Sequence, residues 1–171
     1  MSAPSTSRRH PASGRAADGA ENAALVLRQF RQVLNSVKTH FQQVEKKVGL
    51  GGAQVWALSV IRERPGLGVG ELAQSMDIHQ STASNLVRVL VERGFIETRR
   101  EGSDRRSVQL YLLSEGGKVL RRVPGPFEGV LPSALRALDP RTLRRLRKDL
   151  AELIRVLDVD EKAGRIPLAE L

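Results

Sequence analysis

Ser81, Ser84, Asn85 and Arg88 stand at offsets 0, 3, 4 and 7, the spacing that lines side chains along one face of a helix. Gln80 sits at the leading edge of that face, and neither Glu nor Lys enters it before Glu92. These are compact hydrogen-bonding groups. Asn and Gln match adenine edges, Arg matches guanine, and Ser or Thr serve bases or phosphates. A plain solvated face is the ordinary alternative, but such faces favour Glu and Lys. The pattern favours a helix that reads a major groove, rigid on its buried side and polar outward. A second group follows at once: Arg99, Arg100, Ser103, Asp104, Arg105 and Arg106. Arginine at the tip of a β-hairpin suits a narrow, strongly negative minor groove, and neighbouring arginines can pair with phosphates. Asp104 would be repelled by DNA if left free, so it is expected to hold an arginine through a charge-assisted bond. Alone, the loop reads equally well as a charged, solubilising one. Directly behind the polar helix, the functional reading is the stronger.

The elements that must position these residues can be read from periodicity. Ala83, Leu86, Val87 and Leu90 give the helix of residues 80–93 its buried side, and Gly94 closes it in a left-handed conformation. "FIETRR" and "RSVQLYLL" read as two strands joined by "EGSD", with Val108, Leu110 and Leu112 on one face of the second. A short helix, "VGELAQSM" at about 69–76, and the turn "DIHQ" precede them, and "AQVWALSVIRE" at 53–63 forms a helix stopped by Pro65-Gly66. Residues 22–48 carry an apolar stripe (Phe30, Val33, Leu34, Val37, Phe41, Val44, Val48) ended by "GLGG". After the hairpin, Ser114 is expected to cap a helix from about 115. Pro124 and Pro126 interrupt it; it resumes near 128 and pauses near Pro132. Asp139-Pro140 starts the last helix, where Leu143, Leu146, Leu150, Leu153 and Leu157 form a heptad-like seam among Arg141, Arg144, Arg145, Arg147 and Lys148. Residues 1–21 read as a disordered arm and 159–171 as a tail. The expected fold is mainly α with a small β-hairpin wing (α+β): a winged helix-turn-helix over 53–113, flanked by dimerisation helices over 22–52 and 114–158.

Composition narrows the function. With 171 residues and 40% hydrophobic content the chain can bury a core. It has no Cys, which removes disulfide, thiolate-metal and thiol redox chemistry. Its three His lack metal-ligand spacing, so neither metal nor cofactor is expected. No nucleophile elbow or paired carboxylates appear, and "GLGVGELA" follows Pro65 rather than a strand, so an enzyme is not expected. No apolar run is long enough for a membrane span and no secretory signal is evident; a cytoplasmic protein is expected. The formal net charge of +9 and the pI near 10.9 fit a nucleic-acid partner. Residues 66–113, however, hold six basic and six acidic residues, so binding there rests on placement rather than on sum.

The stretch "GELAQSMDIHQSTASNLVRVLVERGFIETRREGSDRRSVQLYLLSEGGKVL" resembles the multiple-antibiotic-resistance regulator (MarR) family of bacterial transcription factors. The helix–turn–helix, "VERGFIETRR", the wing "DRR" and "LSEGG" carry the likeness, which covers about residues 66–120. It implies a homodimer with interlocked terminal helices. Two recognition helices would enter successive major grooves of a pseudo-palindromic double-stranded site, with wings in the flanking minor grooves. Carried over by position, DNA contact falls to Gln80, Ser81, Thr82, Ser84, Asn85 and Arg88, wing contact to Arg105, and support to the pair Asp104 and Arg106. One departure stands out: His79 occupies the place where the family often has Ser or Asp, so either Ser81 caps the helix or its start is frayed.

The outer apolar stripes exceed what a small winged helix needs, and dimerisation explains the excess; the alternative is that the two helices pack on each other. The resemblance also implies a pocket for a small-molecule effector, with His40, Phe41 and Trp56 as candidates on nearby helices. The expected function is therefore a sequence-specific, effector-released regulator, with repression as its expected sense. The competing readings are a winged-helix protein-interaction module and a non-specific architectural DNA-binding protein without effector control.

Overall fold

The computed structural model describes residues 12–100, 108–160 and 164–170. Helix α1 runs from Ala12 to Val48. It begins ten residues earlier than the apolar stripe predicts, and part of the segment read as a disordered arm is helical. Alanine explains the extension: Ala12, Ala16, Ala17, Ala20, Ala23 and Ala24 favour helix intrinsically, and no proline follows Pro11 until Pro65. The chain falls into two compact units divided between Ser36 and Val37, within α1. In the first, Leu25, Val26, Leu27, Val33 and Leu34 are all exposed.

The second unit holds the rest of the molecule. Helices α2 (Gly52–Glu63), α3 (Val69–Ser75) and α4 (Gln80–Glu92) lead into strands β1 (Ile96–Arg100) and β2 (Val108–Leu112), followed by α5 (Ser114–Arg122), α6 (Val130–Ala137) and α7 (Pro140–Leu157). A short 3-10 turn, Leu168–Glu170, closes the described chain. The core lies where the first four helices of this unit meet the sheet. Leu58 and Ile61 of α2, Leu72 of α3, Leu90 of α4 and Leu110 of β2 are completely buried, and Val119 and Leu120 of α5 join them. This is the winged helix-turn-helix architecture that the sequence predicts.

Local chemistry sets the boundaries. Gln54 Oε1 accepts the Gly51 N–H at 3.2 Å, and Glu71 Oε2 accepts the Gly68 N–H at 2.7 Å, so α2 and α3 each satisfy a donor at their start. The close of α4 is as predicted. Gly94 takes a φ of +68°, its N–H donates to Val91 O, and the Phe95 N–H donates to Leu90 O. Strands β1 and β2 pair antiparallel from Ile96 with Leu112 to Arg100 with Val108. A third segment joins them, unforeseen in the sequence: the Gly66 N–H donates to Leu110 O at 2.9 Å, and the Leu110 N–H to Leu67 O at 3.0 Å. The wing is thereby stapled to the chain just before α3.

Three predicted boundaries shift downstream of the wing. Ser114 does not cap α5; it is the first helical residue, and Leu113 occupies the cap position without a side-chain bond. The strand pairing carries through Leu113, whose N–H donates to Phe95 O at 2.9 Å, so the chain can turn helical one residue sooner. Helix α6 starts at Val130 rather than 128, and Pro132 does not interrupt it. Pro132 falls in the first turn, where a backbone N–H has no helical partner to lose. Asp139 caps α7 as expected, accepting the N–H groups of Arg141 at 2.9 Å and Thr142 at 3.1 Å. No residue of α7 is buried.

Candidate nucleic-acid interface

The turn between α3 and α4 sets the direction of the polar helix. Asp77 adopts a φ of +51°, with its N–H on Gln74 O at 3.2 Å and the Ile78 N–H on Ala73 O at 3.0 Å. This is the same two-bond closure that ends α4, here with a non-glycine residue in the left-handed position. The Arg64 guanidinium ties the end of α2 to α3, meeting Ser75 Oγ at 2.7 Å and Glu71 Oε1 at 3.2 Å. On α4 itself Ala83, Leu86, Val87 and Leu90 are buried. Gln80, Ser81, Ser84, Asn85 and Arg88 are exposed, and Thr82 is half-buried. The helix is rigidly backed on one side and polar on the other.

Two of the outward groups are already engaged within the helix. Ser84 Oγ donates to Gln80 O at 2.8 Å, which leaves its oxygen to face outward as an acceptor. Arg88 pairs with Glu92 at 3.0 Å, both side chains being exposed. The sequence pattern marked Glu92 as the end of the polar face but not as the partner of Arg88; their spacing of four was the available signal. The question raised by His79 also resolves. The helix begins at Gln80 with His79 at the cap position and no capping side chain, so Ser81 stays on the outward face.

Arg99 and Arg100 end β1, and both are exposed. Arg99 is held in place. Its Nε donates to Glu97 Oε1 at 2.7 Å, and its guanidinium lies over the Tyr111 ring at 4.5 Å. Glu97 and Tyr111 are directly opposed in the ladder, so one face of the wing carries an acid, an arginine and an aromatic ring together. Sequence reasoning missed this cluster, although the alternation of Glu97 and Arg99 was its signal. Ser103, Asp104, Arg105 and Arg106 lie outside the described residues.

Phe41 and Trp56 line an apolar cavity of about 210 Å³ together with Met76, Ile78, Pro132 and Leu168. His40 stands outside its lining. Its ring meets Phe41 edge-on at 5.3 Å, and its buried Nε2 has no hydrogen-bond partner among the described residues. The wall formed by Ile166, Pro167, Leu168 and Ala169 was not anticipated. Those residues read as a plain tail, though the apolar run Ile166-Pro167-Leu168-Ala169 marks a segment able to dock. Pro167 is buried, and Ala169 packs against the core. Among the described residues no cluster of His, Asp or Glu can hold a metal ion, and no helix is long and apolar enough to cross a membrane.

Residues 48–107 match the model of the MarR family. The HTH-type transcriptional regulator Hpr of Bacillus licheniformis is 23% identical over 72% of this chain, which spans 59% of that relative's length. The HTH-type transcriptional repressor MdtR of Bacillus subtilis is 23% identical over 74% of this chain and 86% of its own. Among solved structures, the Streptomyces coelicolor MarR-family transcriptional regulator Sco3205, in complex with DNA, superposes with a TM-score of 0.55 at 27% identity. That likeness covers 79% of this chain and 88% of that one. All three are named as transcriptional regulators or repressors.

Proposed function

We propose that this chain, whose residues 48–107 match the model of the MarR family, is a transcriptional regulator that binds double-stranded DNA as a homodimer. The target is a pseudo-palindromic operator. One α4 enters the major groove of each half-site, with Gln80, Ser81, Thr82, Ser84, Asn85 and Arg88 toward the bases and phosphates. The wing, through Arg105 with Arg99, Arg100, Ser103, Asp104 and Arg106, reaches the adjacent minor groove and its backbone. The carrying observation is the exposed polar face of α4, backed by four buried apolar residues and followed directly by the hairpin. A protein-contact module would present an apolar or acidic face there.

The dimer reading rests on apolar surface. In the single chain Leu143 and Leu153 are nearly 40% exposed, and Ile154 and Leu157 more than half. Joining two weak half-site contacts raises the effective concentration of the second. Regulation in this reading is repression by occupancy, relieved by a small apolar effector seated beside Phe41 and Trp56. Such a molecule acts by preferring a conformer with a different separation of the two α4 helices. This places the protein in the cytoplasm, with its DNA.

Selection of bound duplexes from a random pool tests the whole reading. An enriched inverted repeat is the expected product. Recovery of no preferred sequence despite tight binding would point to architectural binding, and no recovery at all to a protein-interaction module.

A further inference from the structure

The C-terminal segment of residues 164–170 reaches the recognition helix. Its anchor is apolar: Pro167 is buried and Ala169 packs against the core beside α2. Two residues before that anchor stands Arg165, which is exposed. Arg165 lines one shallow cleft with Gly70, Gln74 and Asp77 of α3 and its turn, and with His79 and Gln80 at the start of α4. A flexible tail would scatter its charge. Here the buried proline two residues away confines the guanidinium to the edge of the face that α4 presents.

From this placement we propose that Arg165 is a DNA-backbone contact, clamping a phosphate of the strand that passes the start of α4. The inference rests on the DNA-binding reading above. Arg165 has no ion-pair partner among the described residues, whereas Arg88 and Arg99 are both paired. A guanidinium is always charged and offers a fork that fits phosphate oxygens. Asp77, in the same cleft, opposes a phosphate, and the positive charge of Arg165 offsets it. The contact carries no base information, because phosphate contacts fix register rather than sequence. It also gives the segment a role beyond covering the cavity: the stretch that closes the apolar wall also carries a cation to the DNA side.

Binding of the full-length protein to its selected duplex, followed by fluorescence anisotropy over a salt series, tests the proposal. Arg165→Ala is expected to weaken binding several-fold, evenly across base substitutions, and to lower the salt slope by about one unit. Arg165→Lys should restore the slope, and Arg165→Glu should weaken binding further than alanine. The emission of Trp56, the single tryptophan and a wall of the cavity, reports whether the segment stays seated. Where alanine unseats it, Arg165→Gln removes the charge while keeping most of the side chain's length, and its slope decides. An unchanged affinity and slope with Trp56 emission unaltered overturns the proposal, as does a loss confined to one base pair. If the parent protein binds no duplex, the underlying DNA reading fails instead.

Discussion

At the scale of single residues, the outward face of α4 is governed by competition between partners. The Arg88–Glu92 pair is solvent-exposed, and exposed pairs of this spacing are worth only about 0.3–0.5 kcal/mol. A good bidentate contact to a base supplies about 1–3 kcal/mol, so under the proposed reading DNA would take Arg88 from Glu92. Arg88→Ala should weaken operator binding by about 1–3 kcal/mol. Competition against single-base variants shows which contact is lost: one sensitive position means guanine, and an even loss means phosphate. Glu92→Gln should do the opposite, tightening binding in the same titration while shifting the unfolding free energy by less than about 0.5 kcal/mol. The residue types and the shared face of this site were legible from spacing alone, because helical geometry fixes which residues are neighbours. The states of Arg88, Ser84 and Arg99 were not. A side chain's choice among several partners depends on rotamers and distances that periodicity does not encode.

At the scale of elements, α5 approaches the sheet closely at Gly116. A β-carbon at Gly116 would lie 2.4 Å from the carbonyl oxygen of Phe95 and 2.7 Å from Leu112 Cδ1. The oxygen belongs to the backbone and already accepts the Leu113 N–H, so it cannot yield. Gly116→Ala should therefore destabilise by about 1–3 kcal/mol in urea unfolding, as overpacked cores do. Helix α7 carries a titrating cap. A hydrogen bond from the Thr142 side chain, followed by the Thr142 and Arg141 N–H groups, holds Asp139 below its ordinary value of 3.8. The folded state thus favours the carboxylate. Its contribution is complete above the unfolded value and disappears as pH falls through the lower folded one. Asp139→Asn keeps the cap without the charge, so thermal midpoints of the variant should fall less steeply than those of the parent below about pH 4. Elements with strong periodicity or a cap, such as α4, the hairpin and α7, were read correctly from the sequence. The starts of α1, α5 and α6 were not, because alanine propensity, strand pairing through Leu113 and a first-turn proline decided them. Docking of residues 164–170 was missed for a related reason: seven residues are too few for a period to declare itself.

At the scale of the whole molecule, the difficulty is surface that one chain leaves uncovered. Leu25, Val26 and Leu27 in one unit, and Leu153, Ile154 and Leu157 in the other, are between about 40% and 60% exposed. Exposed apolar side chains on this scale point to an interaction site, and under the homodimer proposed above a second copy of the chain is the occupant. Two charges placed on α7 test this without disturbing the winged lobe, because no residue of α7 is buried. Leu153→Glu combined with Leu157→Glu should give monomers in sedimentation equilibrium. The thermal midpoint should fall only by what the lost association contributed, and should no longer vary with protein concentration. DNA binding separates the two levels of the proposal. A monomer that keeps the α4 face should still bind a single half-site weakly, with the sequence preference of the parent, while losing its dependence on half-site spacing. A dimer surviving both charges would move the interface off α7 and leave the exposed residues of α1 to form it.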